Sequence, residues 1–172
     1  LAQGLSSRGN YGEAEPMLHE ALKIHQAINN RWWETLIWNE LGILYFMVGN
    51  YDEAYNCLDK GLQLSQVIGD EARQAYLLCN LGQVIREQGE LKQAESTLIN
   101  GLTLAQKQGD TNLEAIYFSD LAMVSLYAHR FEETIQRANT SFASFKALGL
   151  LLSNTINLTM LAVAHLALKN RE

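Results

Sequence analysis

The chain has 172 residues, of which 48% are hydrophobic and 19% are charged. This is the composition of a folded protein with a sizeable core, and it excludes a disordered or fibrous chain. Lys and Arg number 13 against 19 Asp and Glu, which gives a formal net charge of −6. Because no basic cluster reverses this sign locally, we expect no direct binding to the phosphate backbone of nucleic acid.

The cysteine content and the apolar stretches exclude further classes. Cys57 and Cys79 stand without a CxxC pair and without histidines at metal-ligand spacing, so we interpret them as reduced residues and predict no metal or other cofactor. No basic segment followed by an apolar run opens the chain, and the expected compartment is the cytoplasm. The most apolar stretch, 150–168, contains too many polar side chains to span lipid. We interpret it as a helix buried against protein, and we expect no membrane partner.

The chain repeats itself with a period of 40 residues, found by aligning it on itself without any register shift. The same kinds of residue recur in each copy, including aromatic, leucine and small-residue columns. The columns are Gly9, Gly49, Gly89 and His129; Tyr11, Tyr51, Leu91 and Phe131; Ala14, Ala54, Ala94 and Thr134; Leu18, Leu58, Leu98 and Ala138; Ala21, Gly61, Gly101 and Ser141; Trp38, Leu78, Phe118 and Leu158; Leu41, Leu81, Leu121 and Leu161; and Gly42, Gly82, Ala122 and Ala162.

Each repeat contains two amphipathic stretches, because apolar residues recur three and four positions apart. The stub of a helix over 1–8 comes first, and further helices are predicted over 11–28, 31–48, 51–68, 71–88, 91–108, 111–128, 131–148 and 151–168. The small-residue columns are expected to let the two helices of a hairpin approach closely.

The predicted helix ends carry their own signals. Asn29, Gly69, Gly109 and Gly149 stand where a helix ends in a left-handed residue. The residues that follow three of them, namely Asn30, Asp70 and Asp110, are predicted to cap the next helix. Asn10 with Glu13, and Asn50 with Glu53, are predicted to form capping boxes.

These columns resemble the tetratricopeptide repeat, a helix pair with the pattern W-x2-L-G-x2-Y in its first helix. The resemblance is most complete in one repeat, and looser in the later ones. It implies an all-α fold, a right-handed α-α superhelix of antiparallel helix hairpins. The residues of the best repeat are Trp38, Leu41, Gly42, Tyr45, Gly49, Tyr51, Ala54, Leu58 and Gly61.

The unit of 40 residues is longer than the usual ~34 residues. In this respect the array is similar to those of bacterial transcription activators of the maltose-activator type, of related signalling ATPases, and of the animal spindle-orientation adaptor. HEAT repeats, with ~40 to 47 residues, are the alternative, but they lack the Leu-Gly and alanine columns. We expect one solenoid over 1–172 with repeat units of approximately 1–29, 30–69, 70–109, 110–149 and 150–172.

The register places both ends of the chain inside a repeat, so we expect a piece of a larger protein. Leu158, Leu161, Ala162 and His165 occupy columns that face the second helix of a hairpin, and no such helix follows. His165 itself is expected to be a core histidine. An uncovered apolar face favours association, and we predict self-association through the exposed terminal helices.

In the family that this chain resembles, the first helix of each hairpin lines a concave groove. The resemblance therefore implies a binding surface in which small polar groups alternate with apolar ones, suited to an extended peptide. Part of this surface is expected only to pack against the neighbouring repeat. The groove positions are Leu36, Tyr76, Ile116 and Ile156; Asn39, Cys79, Ser119 and Thr159; Ile43, Gln83, Met123 and Val163; and Phe46, Arg86, Leu126 and Leu166.

Within this surface Arg86 and Gln83 are the polar side chains that we expect to bind a ligand. Arginine in particular can hold a carboxylate with two hydrogen bonds. Trp32 and Trp33 precede an apolar helical face, and at least one of them is expected to be partly exposed. A sugar-like ligand would need stacked aromatic rings, for which only Phe46, Tyr76 and Tyr127 qualify.

No pattern in the sequence points to catalysis. His19, His25, His129 and His165 are dispersed over different repeats, without a Ser-His-Asp, Cys-His or paired-carboxylate spacing on one helix face. There is also no glycine-rich phosphate loop. We therefore predict a protein that is not an enzyme and that binds a protein or a peptide. A small-molecule effector site and an architectural spacer are the alternatives.

Overall fold

The structure is a computed structural model, and it describes residues 11–169. This part of the chain contains eight α-helices, one short 3₁₀ segment and no β-strand, so the predicted all-α class is confirmed. The first seven helices begin at intervals of 20 residues, two for each 40-residue repeat, and the eighth begins 24 residues after the seventh. They are α1 Tyr11–Ala27, α2 Arg31–Met47, α3 Tyr51–Val67, α4 Glu71–Glu87, α5 Leu91–Gln108, α6 Thr111–Tyr127, α7 Phe131–Ala147 and α8 Thr155–Lys169, with the 3₁₀ segment Leu151–Asn154 before α8.

The turns between helices follow the predicted chemistry. Asn29, Gly69, Gly109 and Gly149 all have positive φ, between 53° and 73°. His129 replaces glycine in its column and still adopts the left-handed conformation, with φ of 56°. The predicted helix stub over 1–8, Gly9 and the capping box of Asn10 lie outside the described residues.

The predicted N-caps are confirmed at three helices. The side chains of Asn30, Asp70 and Asp110 accept hydrogen bonds from the backbone N–H three positions later. Asn50 caps α3 in the same way, accepting from the Glu53 N–H at 3.4 Å. The reciprocal half of the predicted capping box is absent, because the Asn50 N–H donates to the Tyr45 carbonyl instead.

The last helix begins differently from the prediction. Leu150 occupies the position that Asn30, Asp70 and Asp110 hold in the earlier repeats, and it offers no side-chain cap. Without that acceptor, the first turn is the 3₁₀ segment Leu151–Asn154, and regular α-helix starts only at Thr155.

The chain divides into two compact units, one up to Gln88 and one from Gly89 onward. In the first unit α2 packs against α1 and α3, and α4 packs against α3 and α2. The core cluster between α1 and α2 includes Ala14, Leu18 and Leu41, all buried. That one solenoid domain spans the whole chain stays a prediction.

The hairpin of α2 and α3 depends on two glycines. A Cβ atom at Gly42 would lie 2.5 Å from Leu58 Cγ and 3.3 Å from the Ala54 carbonyl oxygen. At Gly61 a Cβ atom would lie 3.0 Å from Leu77 Cδ2 and 3.3 Å from Trp38 Cβ. The expected close approach of the helices at these positions is therefore present, and Gly61 brings α3 against both α2 and α4.

In the second unit, consecutive helices from α5 to α8 pack on one another, and α8 also contacts α6. An ion cluster joins α5 to α7. Glu95 accepts hydrogen bonds from Arg130 at 2.8 Å and from Arg137 at 2.6 Å. Burial alone would raise the pKa of the Glu95 carboxyl, but these hydrogen bonds and the two positive charges outweigh it and hold the pKa below its usual value.

Arg137 extends the cluster to α6. Its Nη1 donates to the Ser125 hydroxyl at 2.8 Å and to the Leu121 carbonyl oxygen at 3.1 Å. Three helices of this unit therefore meet at one guanidinium group.

The helix α8 is buried on one side only. Asn157, Met160 and Ala164 face the core, whereas Leu158 and His165 are exposed. The expectation of a core histidine at position 165 is wrong, because within the described chain no helix covers that side of α8 in the way that α3 covers α2. No helix of the described residues is both long and apolar enough to cross a membrane.

The packing at Gly42 yields a stability prediction. Gly42→Ala should lower the free energy of unfolding by about 1–2 kcal/mol, because crowding against the buried Leu58 side chain outweighs the ~1 kcal/mol gain in helix propensity. Chemical denaturation followed by circular dichroism measures the change. The matched control is Gly12→Ala, also in a helix, where a Cβ atom meets nothing within 4 Å. An equal effect at both glycines would contradict the close approach.

The ion cluster predicts a pH dependence. A carboxyl with a lowered folded-state pKa stabilises the fold above its unfolded pKa of about 4.3, and the stabilisation is lost as pH falls through the folded pKa. Glu95→Gln should cost about 1–2 kcal/mol at pH 7 and much less near pH 3, measured by denaturation at both pH values. A cost independent of pH would show that the charge of Glu95 contributes nothing.

Candidate binding groove

The first helices of neighbouring hairpins lie side by side in the first unit. Here α2 and α4 contact each other directly, and the Asn80 side-chain amide of α4 donates to the Asn39 Oδ1 of α2 at 2.8 Å. This hydrogen bond crosses the surface between the two helices, and it leaves a cleft at either end.

The cleft toward the N-terminal ends of α2 and α4 measures about 380 Å³. Leu36 and Leu77 form its apolar part, and Arg73 and Asp70 form its charged part. Tyr76 stands at its edge with 47% of the side chain exposed. The cleft toward the C-terminal ends is smaller, about 170 Å³, and Ile43, Phe46 and Gln83 line it.

Six of the eight groove positions expected in this unit therefore line one of these two clefts: Leu36, Asn39, Ile43, Phe46, Tyr76 and Gln83. The other two are less accessible. Cys79 is only 4% exposed, and the side-chain amide of Gln83 lies over its sulfur atom at 3.9 Å. The Arg86 side chain is 10% exposed and pairs with Glu87 at 2.8 Å. A ligand would meet Gln83 before either of them.

In the second unit the expected groove positions lie on α6 and α8, which also contact each other. Met123 and Leu126 are half-buried and pack against the core cluster of Ala122, Ala138 and Met160. Ser119 is half-buried on α6. Thr159 is exposed on α8, and its hydroxyl donates to the Thr155 carbonyl at 3.0 Å. Much of the expected groove surface on α6 and α8 is therefore in contact with the core of the second unit.

An apolar cleft of about 570 Å³ opens at the C-terminal end of α6. Apolar side chains of α5, α6, α7 and α8 form nearly all of its wall. The lining residues are Gly89, Leu91, Leu126, Tyr127, His129, Phe131, Val163 and Ala167.

Trp32 and Trp33 form an exposed aromatic edge at the start of α2. Both side chains are nearly half exposed, which confirms the expectation for at least one of them. The Arg73 guanidinium lies 4.5 Å from the centroid of the Trp32 ring, and His25 stacks on Trp33 at 5.5 Å. Trp32 is therefore held by a cation–π contact with Arg73, which itself lines the cleft toward the N-terminal ends of α2 and α4.

Titratable groups gather at one further place, between α1 and α2. The Tyr45 hydroxyl donates to Glu15 at 2.6 Å, and His19 Nε2 lies 3.4 Å from the same hydroxyl. Burial and then the hydrogen bond to Glu15 raise the pKa of Tyr45, and burial raises that of the Cys57 thiol to about 11. The Tyr45 hydroxyl and the Cys57 thiol therefore keep their protons at neutral pH. Among the described residues no three His, Cys, Asp or Glu side chains stand close enough to hold a metal ion.

Sequence reasoning missed two contributors to the groove of the first unit. Asn80 lies one position beyond the Cys79 column, and Arg73 precedes the apolar part of α4. One feature of the sequence could have identified Arg73, namely its position three residues after the N-cap Asp70. In the structure the Arg73 Nε–H donates to Asp70 Oδ2 at 3.4 Å. Nothing in the sequence paired Asn80 with Asn39.

Solved structures of similar fold cover nearly the whole chain. A signal transduction ATPase with numerous domains from Pyrococcus horikoshii, which has a tetratricopeptide repeat sensor, matches 96% of this chain with a TM-score of 0.84 and 20% identity. The match spans 26% of that protein, so this chain corresponds to about a quarter of its length. BtubC from P. vanneervenii matches 98% of this chain and 78% of its own, with a TM-score of 0.75 and 18% identity. RapI in its apo form matches 98% and 67%, with a TM-score of 0.66 and 17% identity.

No curated protein sequence matches the chain. Two family models do, both described as tetratricopeptide repeat, one over residues 1–31 and the other over residues 33–98. Together they cover more than half of the chain, and the structures of similar fold confirm the solenoid class. Residues 1–31 and 33–98 therefore belong to the tetratricopeptide repeat family.

Proposed function

We propose that the chain is a scaffold that binds a protein or peptide along the surface of α2 and α4, and that it is the sensor or interaction part of a larger cytoplasmic regulatory protein. One observation carries this proposal. Two clefts lie along the same pair of first helices, on either side of the hydrogen bond between Asn39 and Asn80. An extended peptide suits a strip in which apolar pockets alternate with side-chain amides.

The regulatory part of the proposal rests on similarity. The Pyrococcus horikoshii protein is described as having a tetratricopeptide repeat sensor, and this chain aligns with about a quarter of it. The 40-residue unit, evident in the helix starts, supports the resemblance to arrays of maltose-activator-type regulators. The first helices in such an array would report the bound partner to domains elsewhere in the protein.

A small-molecule effector is the second candidate, and one feature favours it. The cleft toward the N-terminal ends of α2 and α4 has a volume in the range of ligand pockets, about 380 Å³. Tyr76 and Arg73 line it, and the exposed Trp32 ring lies on the guanidinium of Arg73. A planar or sugar-like ring with an anionic group would suit this combination.

Melting-temperature screening separates the two candidates, since a ligand that binds only the native state raises the melting temperature. We expect partner peptides to raise it and metabolites to leave it unchanged. Tyr76→Ala should remove at least half of the peptide-induced rise. The matched control is Ile24→Ala on α1, where the side chain is 55% exposed and far from both clefts in sequence. A rise caused by a metabolite alone would reverse the ranking.

We also propose self-association through α8. Leu158, Leu166 and Ile156 on this helix are 53%, 63% and 56% exposed. Exposed apolar surface favours contact with another chain.

Light scattering across a concentration series tests this association. We expect the apparent mass to rise with concentration in the unmodified chain and to stay that of a monomer in Leu158→Glu/Leu166→Glu. Because both side chains already face solvent, the helix content should not change. A concentration-independent monomer before substitution would contradict the proposal.

A further inference from the structure

We infer that α8 is a gate, a helix that opens from α6 and α7 by local unfolding more readily than those two helices unfold. Met160 of α8 forms one buried cluster with Ala122 of α6 and Ala138 of α7. The expected groove positions Met123 and Leu126 pack against this cluster, so the opening of α8 uncovers them. What the uncovered surface serves rests on the proposed function, in which these two side chains contact a bound partner.

The buried face of α8 contains little apolar surface. This helix buries three residues, of which Met160 and Ala164 are apolar and Asn157 is polar. The two preceding first helices, α4 and α6, each bury seven residues, most of them apolar. Because the stabilisation gained by burial grows with the apolar area removed from water, α8 is held less tightly than α4 or α6.

Two repeat columns are buried in every described first helix, and α8 carries the smallest or most polar residue of each. Asn157 and Ala164 are buried although, within the described chain, no further helix covers α8, so both side chains face the helices that precede it. The replacement of larger apolar side chains therefore weakens the contact with α6 and α7 itself. The columns are Ile37, Leu77, Tyr117 and Asn157; and Leu44, Val84, Val124 and Ala164.

Asn157 also places a buried carbonyl oxygen where nothing donates to it. Its Nδ2 atom donates to the Ser141 hydroxyl at 2.9 Å and to Asn154 Oδ1 at 3.5 Å. Its Oδ1 atom is buried and has no hydrogen-bond partner among the described residues. A buried acceptor without a partner favours the state in which water reaches it. Ser141 keeps a partner when α8 opens, because its hydroxyl donates to the Ala115 carbonyl oxygen of α6 at 2.7 Å.

The start of α8 adds little to its attachment. Leu150 offers no side-chain cap, and the first turn is the 3₁₀ segment Leu151–Asn154. The side chain of Asn154 is buried, and its amide donates to the Phe142 carbonyl oxygen of α7 at 3.3 Å. Met160, the largest apolar side chain that α8 buries, therefore contributes most of what keeps the helix closed.

The test is native-state hydrogen exchange of the full chain, followed for single amides by NMR. We expect the amides of residues 160–164 to exchange at least ~100-fold faster than those of residues 117–124 on α6, after correction for intrinsic rates. Residues 160–164 lie more than one turn before the end of α8 at Lys169, so fraying of the last turn does not contribute. Equal protection of α6 and α8 would overturn the inference.

Two variants at position 157 test the cause of the opening. Asn157→Leu installs the residue that α4 has in the same column, and Asn157→Ala removes the unpaired oxygen without adding bulk. We expect exchange in α8 to slow about tenfold, because the buried acceptor that disfavours the closed state is gone. The matched control is Thr159→Ala, exposed on the same helix, which raises helix propensity alone and should slow exchange by about threefold or less. If neither variant slows exchange more than this control does, the inference fails.

A third variant tests what keeps the gate closed. Met160→Ala should speed exchange of the α8 amides at least ~10-fold, because it removes the largest apolar side chain that α8 buries. The matched control is Leu158→Ala, where the side chain is 53% exposed and little burial is lost. Equal effects of the two changes would show that the cluster with Ala122 and Ala138 does not hold α8.

Failure of the inference and failure of the proposed function give different results. If partner peptides raise the melting temperature but residues 160–164 exchange as slowly as α6, the scaffold function stands and the gate does not. If α8 exchanges as expected but no protein or peptide raises the melting temperature, the gate stands as a property of the fold and the proposed function fails.

Discussion

The absence of a side chain at Gly42 controls how closely the two helices of a hairpin approach. An added Cβ atom would lie 2.5 Å from Leu58 Cγ, well inside van der Waals contact. In the equivalent hairpin of the second unit, Ala122 takes the place of Gly42 and Ala138 takes the place of Leu58. The first helix gains a methyl group where the isobutyl side chain of the second helix is reduced to a methyl group. The two hairpins thus satisfy one steric requirement with different residues, and the repeat conserves complementarity more than identity.

Each hairpin packs its first helix closely against its second. This packing determines which side chains lie on the opposite face of the first helix. In the first unit Gly42 of α2 meets Leu58 of α3, and Asn39, Ile43 and Phe46 line the two clefts toward α4. In the second unit α6 and α8 also contact each other, and an apolar cleft opens at the C-terminal end of α6. Different side chains at repeated positions therefore give each unit its own clefts.

The sequence predicted each of the described helices to within about four residues, because the turn signals recur with the period. Asn30, Asp70 and Asp110 cap as expected, and the failure at Leu150 is equally local. The site was less predictable. Columns indicate which face of a helix a residue occupies, but not how deeply it lies. Cys79 and His165 show both errors, since one groove residue is buried and one core residue is exposed. Asn39 and Asn80 belong to two different columns of the 40-residue repeat. Comparing residues within one column therefore could not reveal their hydrogen bond.

A double-mutant cycle between positions 42 and 58 tests the steric account most directly. In the natural background Gly42→Ala should destabilise the fold, whereas in a Leu58→Ala background the same change should be neutral or stabilising by up to ~1 kcal/mol, because the crowded atoms are gone and the helix propensity of alanine remains. The double variant then carries the Ala122–Ala138 pair of the second unit at the equivalent positions of the first. An equal cost of Gly42→Ala in both backgrounds would contradict the account.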